Sequence, residues 1–255
     1  FKLKYEKKYS NLEVVLSGSN LGYGAGNNKG ISLIKTRYVL ISNPDVIYES
    51  DFFENLKKYI DNNVDFTILG PIYRSKDYAS HGFFDDLNKD NFQNNISKNQ
   101  NLIQTHWIVG CTMFIDLSKF NNKSLFDENY FLFFEEFDLC RRVLKNHGKI
   151  FVSKNLFVKH LGHKGSVAAN PIYEKETAFL RSWHWMWSSF YYYEKNFSYF
   201  YAVKSMYGKF FRSLFKMIYY KIFYNSVKFK MYYGRVCGIW NRLLGRKSWY
   251  RLKIN

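Results

Sequence analysis

The chain has 255 residues, 47% of them hydrophobic, with 38 Lys/Arg against 21 Asp/Glu and a formal net charge of +17. That is enough apolar material for a sizeable core, which excludes wholesale disorder, and three prolines exclude a collagen, a mucin-like stalk or a Pro-rich linker. The charge is uneven: residues 181–255 hold 15 Lys/Arg and one acidic residue, Glu194, whereas residues 1–180 are nearly balanced. The last 75 residues also carry five of the six Trp. The composition therefore breaks near residue 180, into an ordinary α/β part and a basic aromatic appendage suited to an anionic partner.

In chain order, the opening FKLKYEKKYS lacks an apolar run, and Glu13–Leu16 (EVVL) reads as a short strand. Ser17–Gly30, SGSNLGYGAGNNKG, is rich in Gly and Asn, and helical spacing begins inside it and runs to Thr36. Tyr38–Ser42 (YVLIS) is a buried strand that stops at Asn43-Pro44-Asp45. Asp51–Asn62 is an amphipathic helix with Phe52, Phe53, Leu56 and Ile60 on one face. Phe66–Leu69 is a strand ended by Gly70-Pro71, and residues 74–101 are polar and irregular. Ile103–Val109 and Thr112–Asp116 are strands flanking Gly110. Glu135–His147 is a helix ended by Gly148, and Ile150–Val152 and Phe157–His160 are short strands. Strands alternating with helices predict a layered α/β fold with a mainly parallel sheet.

Four places could carry chemistry. Asp45 is delivered at the carboxyl end of a strand, where open α/β sheets bind ligands, and suits a hard divalent cation; Asn-Pro-Asp is equally a good turn. The Gly/Asn loop lets backbone N–H groups approach an anion before a helix N-terminus, or is a plain Gly-rich turn. In FDENYFLFFEEFDLCRR, the acids Glu135, Glu136 and Asp138 follow an aromatic run that can exclude water and raise a carboxyl pKa, or they are ordinary first-turn helix charges. Cys140 beside them reads as a small core residue. His160 ends a strand, with His163 three residues on: structural, or metal-ligating near the carboxylates. Cys111, Cys140 and Cys237 form neither a disulfide framework nor a metal-ligand pair and point to a reducing compartment.

Taken in order from about Asn11 to Ser166, these motifs resemble the inverting glycosyltransferases of family 2, in their rhamnosyltransferase-like branch. The resemblance implies a GT-A fold (Rossmann-like, mainly parallel sheet) over residues 1–180, with a helical, membrane-associating tail at 181–255. It implies that Asp45 holds Mg²⁺ or Mn²⁺, with His160 as a further ligand, and that Asn20, Gly22, Asn27, Asn43 and Gly110 bind the nucleotide-sugar. It implies that Glu135-Glu136 stands at the family's Glu-Asp, whose second acid is the catalytic base, and that Asp138 and Arg141 anchor the helix. Glu136 in place of Asp is a departure that lengthens the base by one methylene. A second departure is the short N-terminus: the family's first strand, helix and strand are expected upstream of Phe1.

The activity so implied is transfer of a hexose to a glycan or lipid-linked glycan in cell-surface polysaccharide synthesis, at the inner face of the cell membrane. In the tail, SWHWMWSSFYYYEKN sets Trp and Tyr side by side. Val203, Tyr207, Phe210, Phe211, Leu214 and Ile218 fall at helical spacing beside Lys209, Arg212 and Lys216. That pattern fits a helix lying in an anionic membrane surface, or a helix packing its aromatic face on the first domain. The alternatives from other classes are a non-catalytic sugar-nucleotide binder and a basic nucleic-acid binder; the second lacks any RRM, KH or zinc-finger signature, so no nucleic acid is expected.

Overall fold

The computed structural model describes residues 2–74, 81–84, 86, 101–162 and 171–251. A short helix α1 (Lys2–Lys8) is followed by α2 (Tyr23–Leu33), β1 (Tyr38–Ser42), β2 (Val46–Tyr48), α3 (Phe52–Asp61) and β3 (Ile68–Tyr73). Then come β4 (His81–Gly82), β5 (Leu102–Gln104), β6 (Trp107–Ile108), β7 (Thr112–Asp116), α4 (Glu135–Lys145) and β8 (Ile150–His160). Three long helices close the chain: α5 (Glu174–Asn196), α6 (Tyr199–Ile222) and α7 (Ser226–Leu243).

The main sheet has the order β1-β7-β3-β8-β2, with β5 also paired to β8. Its strands alternate between two cores. Val39, Ile41, Met113, Ile115, Ile150 and Val152 face the layer that includes Ile31 of α2 and Leu139 and Val143 of α4. Phe114 and Phe151 face the other layer, with Phe52, Leu56 and Tyr59 of α3. The result is helix on both faces of a sheet, the α/β class expected. The sheet is mixed rather than mainly parallel: among the described residues β3–β8 is the parallel pair, and β1–β7, β3–β7, β2–β8 and β5–β8 are antiparallel. The reason is insertion: β7 enters between β1 and β3 and runs against both, so strands sharing one direction are not neighbours there.

Several elements depart from the sequence reading. Residues 13–16 form no strand; they are largely exposed, and no described strand lies alongside to pair with them. On α3 the inward residues are Phe52, Leu56 and Tyr59, while Phe53 is exposed. β3 runs through Gly70-Pro71 instead of stopping there, because its pairing with β8 shifts register between Gly70 and Ile72, where a residue without an N–H costs no ladder bond. The strand expected over Ile103–Val109 is interrupted at Thr105-His106, which turn aside to Gly82: His106 N–H donates to its carbonyl (2.9 Å), as does the Thr105 hydroxyl (2.7 Å). The two short strands expected at 150–160 are one, β8. His163 lies outside the described residues.

The C-terminal helices pack on one another and on the first half. Gly234 and Gly238, one turn apart on α7, meet α5 where any Cβ would stand 2.5 Å from the Phe179 carbonyl oxygen and 2.3 Å from that of Trp183, so only glycine permits this approach. Trp183 and Trp187, each 1% exposed, fill the interior of that junction, with the Trp187 indole donating to the Arg246 carbonyl (3.0 Å). These tryptophans of the SWHWMW run are therefore core, not an interfacial belt. Of the stripe expected on α6, Val203 and Phe210 pack inward. Tyr207, Phe211 and Ile218 face solvent, joined by Phe200, Phe215 and Ile222. Two of the expected bases reach across neighbouring rings, Lys209 over Tyr193 (5.5 Å) and Lys216 over Tyr232 (5.3 Å); Lys209 and Arg212 are exposed and Lys216 is half-buried. No helix among the described residues is long and apolar enough to cross a membrane.

Candidate active site

The turn after β1 brings the first acid into place. Asn43 N–H donates to the Cys111 carbonyl (2.9 Å), which ties Asn43-Pro44-Asp45 to the segment leading into β7. Asp45 then faces the end of β8: Val46 pairs with His160, and the Leu161 N–H donates to the Asp45 carbonyl (2.9 Å). The side chains meet, with His160 Nε2 3.2 Å from Asp45 Oδ1, and both are largely buried at 11% and 12% exposure. Among the described residues no group of three or more His, Cys, Asp or Glu is gathered as a metal cage. A carboxylate and an imidazole suit a hard divalent cation that takes its other ligands from water and phosphate, so the pair fits the metal the resemblance implies.

The second acid pair comes from α4. Phe133 and Phe134 both take left-handed backbone (φ 69° and 70°), an unfavourable conformation for aromatic residues, and Phe134 stands at the N-cap. This double kink turns the chain so that Glu135 and Glu136 enter the helix pointing into the molecule. Glu135 packs against α2, where a Cβ on Gly24 would be 3.6 Å from its own. Glu136 lies against Gly110, where a Cβ would be 3.4 Å away from both its Cβ and the Tyr23 hydroxyl. Neither Glu135 Oε2 nor Glu136 Oε2 has a hydrogen-bond partner among the described residues. Burial raises the Glu136 carboxyl to about 7. Burial, and then the neighbouring Glu136 charge, raises Glu135 well above the usual carboxylate range.

Tyr23 and Cys111 join the two pairs, and sequence reasoning missed both. The Tyr23 hydroxyl donates to the Gly110 carbonyl, and burial followed by the charges of Glu135 and Glu136 pushes its pKa up. Cys111 is adjacent to Gly110 and feels both Asp45 and Glu136; burial above all pushes its thiol up to about 11. The signal for Tyr23 was present, as the one aromatic inside the Gly/Asn loop.

The loop residues divide. Gly22 (φ 87°) is required by packing: a Cβ would lie 2.3 Å from the Phe131 carbonyl oxygen, which also accepts from the Tyr23 N–H (3.0 Å). Asn20 is exposed and accepts from the Gly22 N–H (3.0 Å). Asn27 is half-buried and bonds the Tyr23 carbonyl (2.9 Å) within its own helix. The neighbouring Asn28 locks α2 to the 124–128 segment, bonding both N–H and carbonyl of Phe126. Asp138 and Arg141 turn away from the acids. Asp138, fully buried, accepts from Arg142 Nε (2.8 Å) and Lys195 Nζ (2.9 Å), so it fastens α4 to α5. Arg141 pairs with Asp86 and lies over the Phe197 ring (4.6 Å). Cys140 is core, as expected, with burial raising its thiol to about 12.

The sequence model of glycosyl transferase family 2 ("Glycosyl transferase family 2") matches residues 3–122. The rhamnosyltransferase WbbL of Escherichia coli (strain K12) is 25% identical over 158 residues, covering 53% of this chain. That match spans 58% of WbbL's own length, so the chain accounts for less than two thirds of its curated relative. Among solved structures, GalNAc-T7 with UDP, GalNAc and Mn²⁺ is 12% identical with a TM-score of 0.49, over 77% of this chain and 43% of that one. S. aureus TarS 1–349 in complex with UDP-GlcNAc is 12% identical with a TM-score of 0.42, over 99% of this chain and 81% of that one.

Proposed function

From a chain that carries a glycosyl transferase family 2 region over residues 3–122, we propose an inverting transfer of a hexose from a nucleotide-sugar to a hydroxyl of a glycan or lipid-linked glycan. The observation that supports this reading is Glu136: a carboxylate raised to about 7, whose Oε2 has no hydrogen-bond partner among the described residues, with Cys111 feeling both its charge and that of Asp45 in the Asp45–His160 pair. A base with that pKa is half ionised near neutrality and holds a proton well once it has taken it, which is what general-base catalysis requires.

The step is a single displacement. Glu136 accepts the proton of the acceptor hydroxyl as its oxygen forms a bond to the anomeric carbon. The bond from that carbon to the diphosphate oxygen breaks, and the electron pair leaves with the nucleoside diphosphate. Asp45 and His160 would hold Mg²⁺ or Mn²⁺, which neutralises charge on a departing diphosphate when bound. In this reading Asn20, Gly22, Asn27, Asn43 and Gly110 bind the donor, beside the N-terminus of α2. Glu135, held protonated by burial and then by the neighbouring Glu136 charge, keeps a second negative charge from forming beside the base.

On this reading the chemistry takes place at an anionic membrane, at the cell's inner face, in polysaccharide synthesis. The exposed face of α6 supports this. Phe200, Tyr207, Phe211, Phe215, Ile218 and Ile222 recur at helical spacing along one side, with Lys204, Arg212 and Lys221 also exposed. The boundary expected at residue 180 falls inside α5, which runs unbroken over Glu174–Asn196.

The test is release of nucleoside diphosphate from a panel of nucleotide-sugars in the presence of glycan acceptors. Wild type is expected to release it only with divalent metal present. Asp45→Ala is expected to lose the activity by orders of magnitude. Full release in EDTA sinks the metal part of the proposal, and no release with any donor leaves the binder reading standing.

A further inference from the structure

A cavity of about 480 Å³ opens where the first half meets the helical tail, within the range of small-molecule sites. Phe83, Phe84, Trp107 and Phe137 form the wall on the sheet side, and Tyr192, Phe197 and Tyr201 form the wall on the helical side. The rings pack in tilted pairs around the cavity: Phe84 stands 6.5 Å from both Phe137 and Tyr192, and Phe134 5.5 Å from each of them, centroid to centroid. Asp86 lines the same cavity, paired with Arg141, whose guanidinium lies behind it over Phe197 (4.6 Å) and Phe84 (5.5 Å). The Tyr192 hydroxyl is buried there and has no hydrogen-bond partner among the described residues.

We infer that this aromatic cleft binds a pyranose ring of the acceptor glycan. The chemistry fits on two counts. Aromatic faces carry negative charge density, which attracts the C–H bonds on the flat side of a sugar ring. The carboxylate and the tyrosine hydroxyls supply acceptors and donors for the ring's hydroxyls. An isoprenoid or acyl chain would fill the volume but would strip water from the Asp86–Arg141 pair and leave the Tyr192 hydroxyl unsatisfied, a cost that a polyhydroxylated ligand avoids.

Position agrees with chemistry. Phe134 and Phe137 line the cleft and bracket Glu135-Glu136 on α4, and Trp107 leads along β6 into Gly110, against which Glu136 packs. A sugar held in the cleft is thereby placed beside the base that would deprotonate its glycan. This assignment rests on the transferase reading for its role, but glycoside binding can be measured without it.

The experiment titrates the full chain with a panel of methyl pyranosides and short oligosaccharides, read by Trp fluorescence and ligand-observed NMR. Farnesyl phosphate serves as the chain-type probe, and nucleoside diphosphate is titrated separately. Saturable glycoside binding is expected, weakened at least ~10-fold by Phe83→Ala and Tyr201→Ala, both at the exposed rim and so tolerable to the fold. Asp45→Ala should retain it, because the donor side is separate. Loss of nucleoside diphosphate binding with glycoside binding intact overturns the transferase reading and leaves the cleft. Absence of glycoside binding, glycoside binding indifferent to both rim variants, or rim variants that affect farnesyl phosphate alone, overturns the cleft.

Discussion

The two halves of this molecule break the usual rules of burial in opposite ways. The half built on the sheet buries charge: Glu135 and Glu136 sit inside with a carboxyl oxygen each that finds no partner among the described residues. The helical half exposes apolar surface: Phe215 on α6 is 70% and Tyr224, just beyond it, 94% accessible. Each violation costs free energy in the isolated chain. Each makes sense if something absent from the chain completes it, a reacting hydroxyl in one case and an anionic lipid surface in the other. The two departures are separable, because the contacts between the halves involve neither of them.

The strongest way to break that comparison is to remove the buried charge. Glu136→Gln is expected to lower turnover by ~10²–10⁴ at saturating donor while donor binding survives, the usual contribution of a general base. Glu136→Asp should keep part of the activity. If Glu135→Gln is dead and Glu136→Gln normal, the base is misassigned by one residue; if both are normal, the acids are structural. In wild type the rate should rise with pH through about 7 and then level off, as the base must be ionised to act.

Next in size is the joint between the halves. Asp138→Ala removes the buried acceptor shared by Arg142 and Lys195 and should cost roughly 2–4 kcal/mol, read from the denaturation midpoint. An unchanged midpoint would mean the halves are held by the tryptophan core alone.

The same Glu136→Gln protein also tests whether the charge is stored at a cost. A carboxyl whose pKa is raised from 4.5 to about 7 binds more protons folded than unfolded between those values. Its unfavourable contribution is absent below pH 4.5, grows through that window and is complete above about 7. Glu136→Gln should therefore stabilise the fold by on the order of 1–3 kcal/mol at pH 8 and by little at pH 4. Equal melting temperatures for the two proteins at pH 8 would count against the burial argument.

The smallest effect is expected in the tail. Phe215→Ser should weaken flotation with anionic liposomes by ~10-fold while leaving the melting temperature near wild type, since that ring has given up little water to the fold. Raising salt should weaken binding further through the exposed bases. If Phe215→Ser floats as wild type does, the stripe serves another partner.

Much was legible in the sequence because it was local. A short apolar run ending at Asn43-Pro44-Asp45 located β1, and the spacing of Phe52 and Leu56 located α3, since both signals belong to consecutive residues. The motif order pointed to Asp45, Glu136 and His160; the fold pairs Asp45 with His160 and sets Cys111 where it feels both Asp45 and Glu136. What the sequence could not determine depended on neighbours remote along the chain. Pro71 is tolerated within β3 only because β8 slips register opposite it. The SWHWMW run looked like a membrane belt until α7 placed Gly234 and Gly238 against its backbone and enclosed Trp183 and Trp187. The exposed stripe on α6 emerged only once packing had drawn Val203 and Phe210 inward and left Phe215 and Ile222 outside. Residue spacing determines which side chains share a helix face; only the tertiary structure decides which face is covered, because burial is a property of the partner as much as of the helix.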